Sequence, residues 1–407
     1  MSILNQLPSP AERAIAVRIV PAAERAIRQG HPWLFEESIG SVSFEGKAGD
    51  TAVIFDRKKR FLAVGLYDPD SPVKVRILHA GSPAKINADW FKNKLDEAQA
   101  IRQPLLKKGT TGYRLIHGEN DGFGGLVVDR YAETAVLKLY SLAWLPHLHT
   151  LVDLLPDVVP FERIVLRLSR NIQAQAGQLG LRDGMVVWGT AVNAPVQFLE
   201  NNLIFEADVQ HGQKTGFFLD QRENRERVEK LAKGRSVLNV FAYTGGFSLY
   251  ALRGDATEVV SLDLSQPAIN AAHRNVTLNP LPVERHSAIV ADAFAGMTKL
   301  SEDRKRFDMV IIDPPSFAKK KSEVDRAMSA YRKLVRLGVK LVNRDGFFVM
   351  ASCSSRIQAQ PFFEIVHNAA WGAKRPLTEI ERTQHALDHP ITFKEAAYLK
   401  CLFAEVK

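Results

Sequence analysis

Cysteine is scarce: Cys353 and Cys401 are the only two in 407 residues, too few for a disulfide framework or a cysteine-rich zinc site. Reduced thiols and no metal are expected. Long apolar runs are missing as well, none approaching the roughly 20 residues that a bilayer-spanning helix needs. Met1–Pro10 lacks the basic-then-apolar order of a secretory signal, so a cytoplasmic chain with no membrane partner is expected. There is no internal repeat and no low-complexity tract. Hydrophobic residues at 46% and charged residues at 24% match ordinary folded domains, which excludes a fibrous or largely disordered class.

What is present in excess is positive charge. Lysine and arginine number 54 against 45 acidic residues, a formal net charge of +9 that favours encounter with polyanions and points to nucleic acid. The length exceeds one usual hydrophobic core, so two or three domains are expected.

Residues 1–15 carry Pro8 and Pro10, show no periodicity, and read as a loosely held extension. Residues 16–79 contain short β-prone runs, with Thr51–Phe55 and Phe61–Leu66 flanking a basic turn that holds Arg57, Lys58 and Lys59. A small β-rich domain is expected there. Residues 80–200 suit a central α+β domain, with a helix near Trp90–Gln103 and two glycine-rich turns before Leu126–Val128. From 201 to 407 strands alternate with helices, as in a doubly wound α/β sheet. Its strand candidates are Ser236–Phe241, Glu258–Asp263, Ala288–Ala291, Phe307–Asp313 and Gly346–Ser352. Its helix candidates are Phe247–Leu252, Ser265–Leu278 and Ser322–Val342, the second opening on Ser265 as N-cap with Pro267 in its first turn.

Ligands of open α/β sheets bind beyond the carboxyl ends of the strands. After the first strand the chain reads Asn239, Val240, Phe241, Ala242, Tyr243, Thr244, Gly245, Gly246. These glycines do not make the G-x-G-x-x-G that brings backbone against a pyrophosphate, so a dinucleotide is disfavoured. Gly212–Thr215 does not make a P-loop, so phosphate transfer from ATP is disfavoured too. Asp263, followed by Leu264 and Ser265, stands where a carboxylate takes both hydroxyls of a ribose. Asp292, followed by Ala293, can accept from an adenine amino group. A nucleoside without phosphate is implied, and S-adenosylmethionine fits, its sulfonium favoured by Asp220 and Asp313.

The fourth strand ends in Asp313, Pro314, Pro315, Ser316 and Phe317. Two prolines hold that chain extended, so carbonyls and an aromatic ring can face a planar base. The fifth strand delivers Cys353 to the same edge in a polar turn, whereas Cys401 lies in the apolar run Tyr398–Phe403 and reads as core. Methylation of carbon 5 of a pyrimidine needs a thiolate at carbon 6, with Asp313 on ring nitrogen 3. Lys319 and Lys320 are placed to hold flanking phosphates.

These motifs resemble one family. Phe241–Phe247 (FAYTGGF), Asp313–Phe317 (DPPSF), Ser352–Ser354 (SCS) and Gln210–Arg225 are similar to the bacterial large-subunit ribosomal RNA cytosine-5 methyltransferases with an N-terminal PUA domain. His31–Phe35 resembles the family's PUA entry, Tyr113–Tyr131 its central β-α-β module, and Asp388–Pro390 with Tyr398–Lys400 its C-terminal end. The resemblance implies a PUA domain for RNA, a central domain, a Rossmann-like methyltransferase domain and commonly a homodimer. It implies also that Asp220, Gln221 and Arg222 border the cofactor and that Cys353 is the nucleophile acting on ribosomal RNA. Two other readings stay open at this point: methylation of a base nitrogen, which needs no thiol, and a non-catalytic RNA-binding assembly factor.

Overall fold

The computed structural model describes residues 3–318 and 320–407, and the chain folds into two compact units. The first comprises Met1–Asn202, Glu206–Leu219 and Leu387–Phe393; the second comprises Leu203–Phe205, Asp220–Ala386 and Lys394–Lys407. The division therefore differs from the expected boundary at 200/201. Membership of 206–219 and 387–393 in the first unit is a matter of long-range contact, which local composition does not carry.

In the first unit a six-stranded sheet is built from β1 (Ile15–Ile19), β2 (Trp33–Phe35), β3 (Ile39–Val42), β4 (Thr51–Phe55), β5 (Phe61–Tyr67) and β6 (Val73–Ala80). Their order is β2-β6-β5-β4-β1-β3. Helix α1 (Pro21–Arg28) begins on a proline, whose missing N–H is an orphan at that position anyway, and buries Ala23 and Ile27 against the sheet. Helix α2 (Ala88–Lys107) is capped by Asn87, whose side chain accepts from the Trp90 N–H at 3.0 Å. Its residues Phe91, Leu95, Ala98 and Leu105 recur at helical spacing and enter the second core.

That core lies beside a five-stranded sheet: β7 (Gly112–His117), β8 (Leu126–Tyr131), β9 (Thr134–Leu139), β10 (Arg163–Leu168) and β11 (Met185–Gly189), ordered β11-β10-β9-β8-β7. The parallel crossover runs from β9 through α3 (Leu148–Val158) to β10. Tyr113–Tyr131 is instead an antiparallel hairpin with a 3-10 turn at Gly118–Asp121, a correction of the β-α-β reading. Too few residues separate the two strands for a crossover. A short helix α4 (Gln173–Gln178) follows, and along the chain come β12 (Val196–Glu200) and β13 (Leu203–Ala207). Residues 3–15 are also not loose. Leu4 is buried in the second core, Ile15 is wholly buried, and Ala11 N–H donates to Asp50 at 3.0 Å.

The second unit contains α5 (Arg222–Leu231), β14 (Ser236–Val240), α6 (Gly246–Arg253), β15 (Glu258–Asp263), α7 (Gln266–Thr277), β16 (His286–Val290) and α8 (Ala293–Glu302). It continues with β17 (Phe307–Ile312), α9 (Val324–Leu341), β18 (Val342–Ser352), α10 (Ala359–Gly372), β19 (Leu377–Thr383) and β20 (Lys400–Val406). The seven strands are ordered β16-β15-β14-β17-β18-β20-β19. From β14 the chain steps to β15 and β16 on one side, then returns to β17 and steps to β18 on the other. The reversal lies between β14 and β17, where ligands of such sheets bind. Val237, Leu238, Val310, Ile311 and Ile312 are fully buried, as expected of parallel strands covered on both faces. Gly338 lets α9 approach: a Cβ there would stand 2.6 Å from Ile312 and 2.7 Å from Phe348. The fold is the Rossmann-like sheet the alternating pattern predicts. No helix among the described residues is long and apolar enough to cross a membrane.

A buried ion pair lies in the polar interior of the first unit. Arg102, fully buried, forks onto Asp121 at 3.0 and 2.7 Å and donates to the carbonyls of Arg114 and Asp388 at 2.9 and 3.1 Å. Deleting one partner of such a pair leaves a buried charge uncompensated, at a cost of roughly 3–5 kcal/mol. Arg102→Ala should lower the unfolding free energy of this unit by about that amount in a urea titration, and a loss under about 1 kcal/mol would contradict it.

Candidate active site

Two loops meet at the strand-order reversal. The first leaves β14 through Phe241, Tyr243 and Gly245, all in the left-handed region at φ 61°, 48° and 82°. Non-glycine residues pay strain there, so the loop must be held from outside. It is: Tyr243 N–H donates to one oxygen of Asp263 at 2.8 Å, and Asn275, from α7, donates to the Thr244 carbonyl at 2.9 Å. At Gly245 a Cβ would meet that of Ala272 at 3.0 Å, so this glycine also lets α7 close on the loop.

Asp263 ends β15, and its other oxygen accepts from Ser265 N–H at 2.9 Å. Ser265 caps α7 as its sequence predicts, accepting from Ala268 N–H at 3.3 Å. Asp292 follows β16, not as an unengaged acceptor. One of its oxygens caps α8, accepting from Phe294 and Ala295 N–H at 2.9 and 3.1 Å, while Ala293 is the first helical residue.

Beneath the first loop a buried polar chain crosses three parallel strands. Asn239 donates to Ser248 at 2.9 Å, Ser248 and Ser261 hydroxyls stand 2.7 Å apart, and Ser261 meets His286 at 2.9 Å. Desolvation, with His273 close by, depresses the His286 pKa to about 4, so its imidazole is neutral at neutral pH. No sequence motif marks this chain, because its members come from β14, α6, β15 and β16.

The second loop leaves β17 at Asp313. Its N–H reaches the Val240 carbonyl at 3.5 Å, tying the two loops together. On the neighbouring strand β18, Cys353 lies just past Ser352, half-buried, with its thiol 3.8 Å from the Pro314 carbonyl. The structure thus brings Asp313, Pro314 and Cys353 to one sheet edge. Cys401 is wholly buried, and desolvation pushes its thiol well up, which fits core rather than chemistry.

Phe317 departs from a free stacking platform. Its ring sits edge-on to Tyr331 at 5.3 Å, and Tyr331 shares a 2.9 Å hydrogen bond with Ser352. Burial raises the Tyr331 pKa, so this phenol stays neutral. Pro315 is exposed. Lys320 is exposed with its N–H bonded to Glu323, and Lys319 lies outside the described residues. Arg57, Lys58 and Lys59 occupy the β4–β5 turn of the first unit, where Arg57 pairs with Glu24 at 3.4 Å and Lys58 N–H donates to Asp56.

Comparison with known proteins adds a decisive finding. Residues 186–404 match the profile of an S-adenosylmethionine-dependent methyltransferase family, and residues 17–80 match a PUA-like domain. A ribosomal RNA large subunit methyltransferase of Deinococcus radiodurans is 46% identical over 404 residues, covering 98% of this chain and 99% of that protein. Ribosomal RNA large subunit methyltransferase I of Shewanella frigidimarina is 36% identical over 401 residues, covering 97% and 100%. The chain belongs to this methyltransferase family. A Streptococcus mutans structure described as a methyltransferase shares the fold, with a TM-score of 0.81 at 21% identity over 96% of this chain and 100% of its own. Another methyltransferase structure, complexed with SAH, superposes with a TM-score of 0.82 at 22% identity over 96% of this chain and 100% of its own.

S-adenosylmethionine is therefore the methyltransferase's cofactor, and the residues at the reversal suit it. Among the described residues, Asn239 Oδ1 and Thr244 Oγ1 are buried without a hydrogen-bond partner, an expense that a polar ligand removes. Leu264, 72% exposed directly after Asp263, offers an apolar surface for a flat ring. Asp220 is buried and accepts from the Tyr398 hydroxyl at 2.9 Å. Gln221 and Arg222, also buried, lead into α5, and Gln221 accepts from Asn224 at 2.6 Å. In the sequence, Tyr398 and Lys400 are marked by the family resemblance, and Tyr331 by nothing. The signal available for Lys400 was a lone cation inside the apolar run Tyr398–Phe403.

Asp263 holds the strained loop and keeps acceptor capacity on both oxygens. A hydrogen bond to a charged group is worth about 1.5–3 kcal/mol, or roughly ten- to a hundredfold in affinity. Asp263→Ala should weaken S-adenosylmethionine binding by about that factor in calorimetric titration of the folded variant. An unchanged affinity would remove Asp263 from the cofactor site.

Proposed function

We propose that the protein methylates carbon 5 of a cytosine in large-subunit ribosomal RNA through a covalent adduct to Cys353. The names of its relatives support the RNA, and one observation carries the atom: a half-buried thiol 3.8 Å from the Pro314 carbonyl, beside the loop that Asp313 opens. Transfer to a base nitrogen requires no thiol at that place.

S-adenosylmethionine, when bound, supplies an electrophilic methyl group on a sulfonium. Asp263 would hold the ribose hydroxyls, the Asp292 oxygen outside the α8 cap would receive the adenine amino group, and Leu264 would pack on the ring. The polar chain from His286 to Asn239 keeps the first loop's floor in place. Asp220 and Asp313 would favour the sulfonium's positive charge.

Cys353 thiolate would add to carbon 6, the pair of the 5,6 double bond would move to carbon 5, and carbon 5 would take the methyl group as its bond to sulfur breaks and S-adenosylhomocysteine leaves as a neutral thioether. Asp313 bonds ring nitrogen 3 and gives it a proton as negative charge develops. A base then removes the carbon 5 hydrogen, the double bond reforms, the thiolate leaves, and nitrogen 3 returns its proton to Asp313. Pro314 and Pro315 keep their loop extended, with the Phe317–Tyr331 pair as its wall. The target base must leave its stack to enter. Basic residues at 57–59 and 320 hold phosphates.

Loss of a covalent nucleophile costs many orders of magnitude. Cys353→Ala should lower methyl transfer to ribosomal RNA by about a thousandfold or more while S-adenosylmethionine still binds. Digestion of RNA methylated by the native protein should yield 5-methylcytidine. Turnover in the alanine variant, or a nitrogen-methylated base in the digest, would refute the proposal.

A further inference from the structure

Lys400 is a buried lysine, 2% exposed, directly before the apolar run Cys401–Ala404. It begins β20, which runs antiparallel to β18, so it arrives at the edge where β18 ends and pairs in register with Ser352. Its ammonium donates to the carbonyls of Ser354 at 2.5 Å, Ile357 at 2.6 Å and Tyr398 at 3.1 Å. Strand pairing on Ser352 and a hydrogen bond on Ser354 thus clamp the chain on either side of Cys353. A buried ammonium is costly, and three carbonyl dipoles offset only part of that cost. Burial lowers the Lys400 pKa to about 8, and a thiolate at Cys353 opposes that fall.

The groups around the thiol differ in sign. Near it are Asp313, which opens the loop after β17, the Tyr331 hydroxyl from α9, held neutral by burial, and Lys400 from β20, whose positive charge attracts a thiolate. A cation beside a cysteine favours its ionised, nucleophilic form.

We infer that Lys400 is the positioning residue of the nucleophile: its ammonium fixes the turn that presents Cys353 and supplies the charge that favours the thiolate, an inference that rests on the covalent reading above. Lysine at this place acts through the sulfur and need not touch the RNA.

The test is the pH dependence of Cys353 alkylation by iodoacetamide, followed on the Cys353 peptide by mass spectrometry in the full-length protein without RNA or cofactor. In the native protein the midpoint should lie below the roughly 8.5 of a free thiol. Lys400→Gln keeps two donors for the carbonyls and removes the charge, so its midpoint should rise by about one pH unit, since an opposite charge at close range typically shifts a group that far or more. Methyl transfer at pH 7 should fall about tenfold and recover as the pH rises, with S-adenosylmethionine affinity intact. A loss of activity equal at every pH, with an unmoved alkylation midpoint, would mean a purely structural lysine and overturn the inference. So would a native midpoint at or above the free-thiol value, a result that needs no variant to fold. Turnover persisting in Cys353→Ala would instead sink the covalent reading, while the alkylation profile, which needs no turnover, still reports on Lys400.

Discussion

The chemistry of the second unit depends on parallel register. β14, β17 and β18 are hydrogen-bonded neighbours that run the same way, so their carboxyl ends terminate together. Their side chains are buried on both faces, which fixes each strand against slippage. Three loops that are remote in sequence then open on one edge: the small-residue loop at 241–246, the loop that Asp313 begins, and the turn at Cys353. Because the strand order reverses between β14 and β17, no crossover connection covers that edge. Were any of these strands displaced by one residue, the thiol or the acid would turn to the opposite face.

The loop after β14 shows how such an edge is kept ready. Its left-handed residues carry strain that a free loop would release, and Asp263 and Asn275 hold it with hydrogen bonds to backbone. Below it, the Asn239, Ser248, Ser261 and His286 chain binds three strands through side chains, in addition to their ladders. Asn239 Oδ1 and Thr244 Oγ1 remain without partners among the described residues. A site whose polar groups are already oriented loses little entropy when its ligand arrives.

Much of this was legible because parallel strands mark themselves. Near-continuous apolar runs ended in Asp263, Asp313 and Ser352, and the residues after them were readable as loop chemistry. The strands themselves end at Val240, Val290 and Ile312, one residue short of the expected ends at Phe241, Ala291 and Asp313. At Phe241 the left-handed turn begins. Asp292 was ambiguous for a local reason, since a carboxylate after a strand serves equally as ligand or helix cap. The buried polar chain was out of reach because its members come from elements far apart in sequence, and Lys400 showed itself as a lone cation in an apolar run without revealing its partners in the turn after β18. The same holds for 387–393, where Asp388 accepts from Arg114 N–H at 2.8 Å across 274 positions. Leu4 shows the opposite error: a segment without periodicity still buries one leucine in a core.

The central claim is that the Cys353 sulfur reaches carbon 6 of the cytosine that receives the methyl group. A large-subunit RNA fragment bearing 5-fluorocytidine tests this directly, because fluorine at carbon 5 cannot leave as a proton does and the adduct persists after methyl transfer. Mass spectrometry of the digested complex, formed with S-adenosylmethionine, should find one nucleotide, methylated and fluorinated, on the peptide that contains Cys353. Methyl transfer to the native RNA with no such adduct, or an adduct on a different residue, would contradict the account.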